Sequence, residues 1–203
     1  MSRNYHRLAF TATVLEASEG SDAARDPLSD DERDFIAGMD GFYLATVSRT
    51  GWPYVQFRGG PSGFVTTPDE HTIAWPDFSG NRQYISTGNL TQDDRAALIF
   101  LDYAHPARLK VYGHASIADI RSSSPEAVSD AVTFSRARAE REIRIEVSAY
   151  DWNCPQHITP RYTAEQLAPV WGRLRQRVSE LEAENARLRR QSATGADEDE
   201  HDV

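Results

Sequence analysis

The sequence predicts a mainly β domain, an antiparallel barrel or sandwich, followed by one long amphipathic helix. Three observations predict it. Between Gly41 and Gly113 short β-branched and aromatic runs alternate with turn residues. A further run of that kind, REIRIEVSAYDW, follows at 141–152, and leucines then recur every seventh residue from Leu167 to Leu188. The 203 residues suit one domain of about 100–150 residues with appendages.

Residues 1–32 read as an arm, LAFTATVLEASEG, and a small polar linker, SDAARDPLSDDE. Ser29 followed by Glu32 is a capping box, and Phe35, Ile36 and Met39 then share one face of a short helix that opens the domain. FYLATVS is the first strand, RTGWP a turn and YVQFR the second strand. Alternation puts Tyr54, Gln56 and Arg58 on one face and Val55 and Phe57 on the other, so that Arg58 lies opposite the apolar side. TTPDE reads as a turn and HTIAWPDF as the third strand, with Pro76 marking an edge or bulge. A polar loop, SGNRQYISTGNL at 79–90, leads to RAALIFLDY and ARLKVYGHASIADI, the fourth and fifth strands. SSSPEAVSDAV is a capped helix, REIRIEVSAYDW the sixth strand and NCPQHITPRY an irregular loop. The domain is thus expected over 33–162.

In the helix expected over 163–191, Leu167, Leu174, Leu181 and Leu188 occupy d positions, with Trp171, Val178 and Asn185 at a. Arg177 would face Glu182, and Glu184 would face Arg189, across a parallel two-stranded coil; the alternative is a helix packed on its own barrel. SATGADEDEHDV, 192–203, reads as a disordered acidic tail.

A formal net charge of −9 with no basic patch in the middle of the chain argues against nucleic acid as a partner. No run reaches the roughly 18 apolar residues of a membrane span. The lone Cys154 cannot form an intrachain disulfide, and MSRNYHRLAF lacks a secretion-type apolar stretch, so a cytoplasmic location is expected.

The densest polar constellation is the 79–90 loop, where Gly80, Asn81, Arg82, Gln83, Ser86, Thr87 and Asn89 supply donors suited to a phosphate dianion. The plainer reading is a hydrophilic loop satisfying its own backbone. Arg58-Gly59-Gly60 ends a strand, where paired glycines permit close approach or simply make a turn. Arg108 and Lys110 add positive charge from a separate strand.

GFYLATVSRTGWPYVQFRGGPSGF, WPDFSGNRQYISTGNL, RAALIFLDY, RLKVYG and DWNCPQHITPRY together resemble the pyridoxamine 5′-phosphate oxidase-related family of FMN-binding split barrels, over about residues 33–162. The resemblance implies a six-stranded antiparallel split β-barrel, a homodimer and FMN held between the subunits. It assigns the phosphate end to Gln56, Arg58, Gly59, Gly60, Asn81, Arg82, Gln83, Ser86, Thr87 and Asn89, with Arg108 or Lys110 from the fifth strand. Trp152 and Arg161 resemble the pair that reaches the flavin from the partner subunit, and Gln156 and His157 would hydrogen-bond the ring or a substrate. The family's oxidases end in an Arg/His motif that recognises pyridoxal phosphate, whereas this chain runs on into a heptad helix. The expected activity is therefore FMN-dependent oxidoreduction of another small molecule, with NAD(P)H as a transient partner; the alternative is a non-catalytic flavin- or haem-binding carrier or sensor. No catalytic residue is assigned, and Cys154 with His157 falls short of a four-ligand metal site.

Overall fold

The computed structural model describes residues 5, 8–9, 26–78, 83–119, 139–153 and 156–198, with backbone alone for 153 and 191–198. The chain divides into two compact units, Met1–Thr159 and Pro160–Val203. The helix expected over 122–132, most of the expected arm, and Asn81, Arg82 and Cys154 lie outside the described residues.

Helix α1 (Asp30–Gly38) opens the first unit. Its capping box is formed: the Glu32 carboxylate accepts the Ser29 backbone N–H at 2.9 Å and the Ser29 hydroxyl. Ile36 is fully buried, and Phe35 and Met39 pack against the core.

Seven strands follow: β1 (Gly41–Val47), β2 (Pro53–Gly59), β3 (Thr66–Asp69), β4 (Thr72–Phe78), β5 (Arg95–Asp102), β6 (Ala107–Asp119) and β7 (Ala139–Asn153). All pairings are antiparallel, in the order β2-β1-β5-β6-β7-β4-β3. The count exceeds the six expected because Thr66–Asp69, read as a turn, pairs with β4 as a short edge strand. β3 pairs only as far as Ala74, so β4 is an edge at Pro76, which has no N–H to offer.

The sheet curls until its ends meet. Arg58 on β2 and Asp77 on β4 stand five strand steps apart, roughly 24 Å in a flat sheet, yet their charged groups are 3.0 Å apart. Phe42 on β1 likewise stacks edge-on against Trp75 on β4, ring centroids 4.9 Å apart. Side chains rather than backbone ladders close this seam, and the core inside is built from Phe42, Leu44, Trp75, Leu98, Phe100, Leu109, Val111, Ile143 and Ile145.

A bulge makes the curl possible. Between Tyr112 and Gly113 the register with β7 shifts, leaving Ser148 as an extra residue. A Cβ on Gly113 would lie 2.4 Å from the Glu146 carbonyl oxygen, so only glycine lets the two strands approach there.

β2 alternates as expected, and its polar side is the buried one. Tyr54, Gln56 and Arg58 are half-buried, whereas Val55 and Phe57 are 60% and 55% exposed. Arg58 therefore points inward to its ion pair.

Helix α2 (Ile85–Leu90) lies within the segment read as a loop. Its β-branched and glycine residues are weak helix formers. Tertiary contacts hold it instead: Asn89 Nδ2 donates to Thr46 Oγ1 at 3.0 Å, and Leu90 is buried.

The second unit is dominated by α3 (Ala164–Glu198), which continues past the expected end at 191. Thr163 and Gln166 form its capping box: Thr163 N–H donates to Gln166 Oε1 at 2.9 Å, and Gln166 N–H to Thr163 Oγ1 at 3.1 Å. Among the described residues no helix is long and apolar enough to cross a membrane.

Candidate functional site

The inward face of β2, the end of β4, the start of β7 and α2 converge on one polar cluster. Asp77, 5% exposed, accepts from Arg58 Nη1 at 3.0 Å and from Arg141 Nη1 at 3.4 Å. Arg141 also reaches Glu140 at 3.5 Å and stacks over the Tyr84 ring, its Cζ 4.5 Å from the centroid. Tyr84 donates its hydroxyl to Glu140 at 2.9 Å. Two guanidinium and two carboxylate groups balance, so the described cluster is close to neutral.

Around that balanced centre two donors are left over. Arg58 Nε and Thr87 Oγ1 are buried without a hydrogen-bond partner among the described residues. Their neighbours are satisfied: Ser86, fully buried, donates to Gln56 Oε1 at 3.3 Å. Leaving a buried donor unmade costs about 1–3 kcal/mol, so two at one corner point to an acceptor that completes them. An anionic oxygen group, such as the phosphate of FMN, fits that donor set, and the residues present pass this test.

Other expected members of the phosphate site sort differently. Asn89 spends its amide on Thr46, fixing α2 to β1. A Cβ at Gly60 would meet the Phe64 ring at 2.4 Å, and its N–H donates to the Asp40 carbonyl at 2.9 Å, so this glycine serves packing. Gly59 belongs to β2, paired opposite Gly41. Gln83 is exposed at the approach to α2, and Asn81 and Arg82 are not among the described residues.

The second expected group lies at the far end of β6 and β7. Lys110 is engaged by Asp151 at 3.7 Å and by the Tyr5 hydroxyl at 2.9 Å. Arg108 keeps a buried Nε without a partner among the described residues, which makes it the better placed of the two for a ligand. Trp152 stands on the opposite face from Lys110, in register with Leu109. It packs edge-on against Phe35, centroids 4.7 Å apart, and donates its indole N–H to Glu32 Oε1. Burial pushes the Glu32 carboxyl upward, and hydrogen bonds from Ser29 and Trp152 more than reverse this, holding it below its ordinary value. Beside it, burial and the Glu32 charge push the Tyr150 phenol up to about 12.

Gln156 and His157 are exposed, and His157 has φ 66°. The other described non-glycine residue with positive φ is Tyr84, at 49°. Both fall in segments expected to carry the site, where such backbone strain concentrates. Arg161 belongs to the second unit. Asp77, Glu140, Arg141 and Tyr84 escaped the sequence reading; the one available signal was a carboxylate, Asp77, set in an apolar strand just before the polar loop.

The chain is similar to several known proteins. Among solved structures, HupZ of Group A Streptococcus matches with 16% identity and a TM-score of 0.49, over 66% of this chain and 99% of that one. An FMN-binding protein from Syntrophomonas wolfei matches with 17% identity and a TM-score of 0.46, over 60% of this chain and 83% of that one. General Stress Protein 26 from Bacillus anthracis matches with 13% identity and a TM-score of 0.41, over 59% and 88%. No curated protein matches by sequence. The sequence profile of the pyridoxamine 5′-phosphate oxidase family matches residues 28–150, which span α1 and nearly all of the seven-stranded sheet. The chain belongs to the pyridoxamine 5′-phosphate oxidase-related family.

Proposed function

We propose that two copies of this chain bind FMN in shared grooves, and that the protein is an FMN-dependent oxidoreductase acting on a small molecule other than a vitamin B6 phosphate. The observation that carries this reading is the pair of buried donors, Arg58 Nε and Thr87 Oγ1, left without a partner among the described residues. Ser86, Thr87 and Gln83 with Asn81 and Arg82 would hold the phosphate end, and Arg58 would reach it through Nε while its Nη1 stays on Asp77. Arg108 would meet the ligand from the partner subunit, together with Trp152 to Arg161 of the partner subunit. Bound FMN supplies hydride or electron transfer, which needs orientation and hydrogen bonds from the protein more than an acid/base dyad.

Distance supports a shared site. Trp152 lies eleven residues beyond Arg141 on β7, on the order of 35 Å of extended strand. Over that length one protomer would not bring both groups to one ligand, whereas two related by symmetry could. The outer face of β1 and β2 supports such pairing: Tyr43, Val55 and Phe57 lie side by side and exposed, near Trp52, 75% exposed at the hairpin.

Anaerobic stopped-flow reduction tests the enzymatic part. Bleaching of the FMN absorbance by NADH, NADPH or a candidate substrate is the expected result. FMN that stays oxidised under all of them would leave a flavin carrier or sensor.

A further inference from the structure

Helix α3 presents an apolar seam that the described chain leaves uncovered. Trp171, Leu174, Val178, Leu181 and Leu188 are each 46% to 59% exposed. They recur at spacings of three and four, with Asn185 filling the remaining a position. Pro169 sits inside the helix, where it has no N–H for the Glu165 carbonyl, and the seam begins just beyond it. A helix this polar on its other faces gains little from propensity alone; packing of the seam is what would hold it.

We propose that α3 pairs with α3 of a second copy of this chain as a parallel, in-register, two-stranded coiled coil from Trp171 to Leu188. Charge selects this occupant. Arg177 and Glu184 occupy g positions, Glu182 and Arg189 the e positions, so parallel pairing sets Arg177 against Glu182 and Glu184 against Arg189. Glu182 and Arg189 make no ion pair among the described residues, while Arg177 and Glu184 have only weak intrahelical partners, Glu180 at 3.3 Å and Arg187 at 4.0 Å. Antiparallel pairing centred on the same seam would also join opposite charges, Arg177 with Glu184, so charge favours a second copy of α3 and the a-position amide fixes its direction. In register Asn185 meets its own copy and the two amides hydrogen-bond, whereas antiparallel it faces a leucine layer. This assignment stands on α3 alone and is independent of the flavin reading.

The test uses the full chain with Cys154→Ser as background. Leu188→Cys, near one end of the seam, should form a disulfide-linked dimer under mild oxidation at least roughly tenfold faster than Gln176→Cys on the outer face, because disulfides need the two Cα atoms within about 7 Å. Equal rates, or no cross-link at position 188, would overturn the parallel register. Asn185→Leu should retain helicity and shift the mass in light scattering from dimer toward higher oligomers. An unchanged mass would show that the seam does not set association. Both readouts are indifferent to bound flavin, so failure here leaves the cofactor question untouched.

Discussion

Thr87 and Asp77 lie at the same corner and are expected to respond to substitution in opposite ways. Thr87 Oγ1 is buried and unsatisfied, so Thr87→Val should leave the melting temperature unchanged or slightly raised. The same change should weaken FMN binding roughly 10- to 150-fold, if the hydroxyl meets a phosphate oxygen with about 1.5–3 kcal/mol. Thermal unfolding of the variant checks the first half and isothermal titration the second; equal affinity would assign the hydroxyl no part in binding. Asp77→Asn strands two guanidinium groups around a neutral amide, and the expected loss is about 3–5 kcal/mol in denaturant unfolding. Glu32 contributes through pH. Its folded form binds a proton less readily than the unfolded chain, so its stabilisation is present above the ordinary value of about 4.5 and fades as pH falls through the lower folded value. Glu32→Gln should flatten that acid limb and alter the fluorescence of Trp152, whose indole it holds.

At the scale of elements, the bulge between β6 and β7 sets the curl that carries Arg58 to Asp77. Gly113→Ala would drive a Cβ into the Glu146 carbonyl, so a lower denaturation midpoint, by at least about 1–3 kcal/mol, is expected. Unchanged stability would show that the strands separate there without penalty. The same elements show what was legible beforehand. The capping box at Ser29 and Glu32 and the six longer strands rest on local patterns, and they stand where the pattern put them. β3 was hidden because TTPD carries turn residues and is a strand only through β4. Helix α2 was hidden because Ile-Ser-Thr-Gly-Asn-Leu forms a helix only where Asn89 can reach Thr46. Which side of β2 is buried was not legible, since hydrophobic alternation does not distinguish a core from an interface. Asp77 and Arg141 meet Arg58 only after the sheet has closed, across 19 and 83 positions of sequence as the numbering of Arg58, Asp77 and Arg141 gives them.

Across the whole molecule the claim is that neither protomer holds a complete site. Mixing separately inactive Arg82→Glu and Trp152→Ala chains should therefore restore binding. Half the dimers are mixed and each carries one intact groove, so about a quarter of the grooves recover under random exchange. No recovery after verified exchange would place each site within one subunit. The cofactor itself is tested most directly by titrating the purified full-length protein with FMN and with riboflavin. The expected result is one FMN per protomer, flavin absorbance that remains with the protein through gel filtration, and riboflavin binding weaker by roughly tenfold or more, because the phosphate meets charge-assisted donors. A colourless protein that takes up neither flavin, or one that binds both equally, would contradict it.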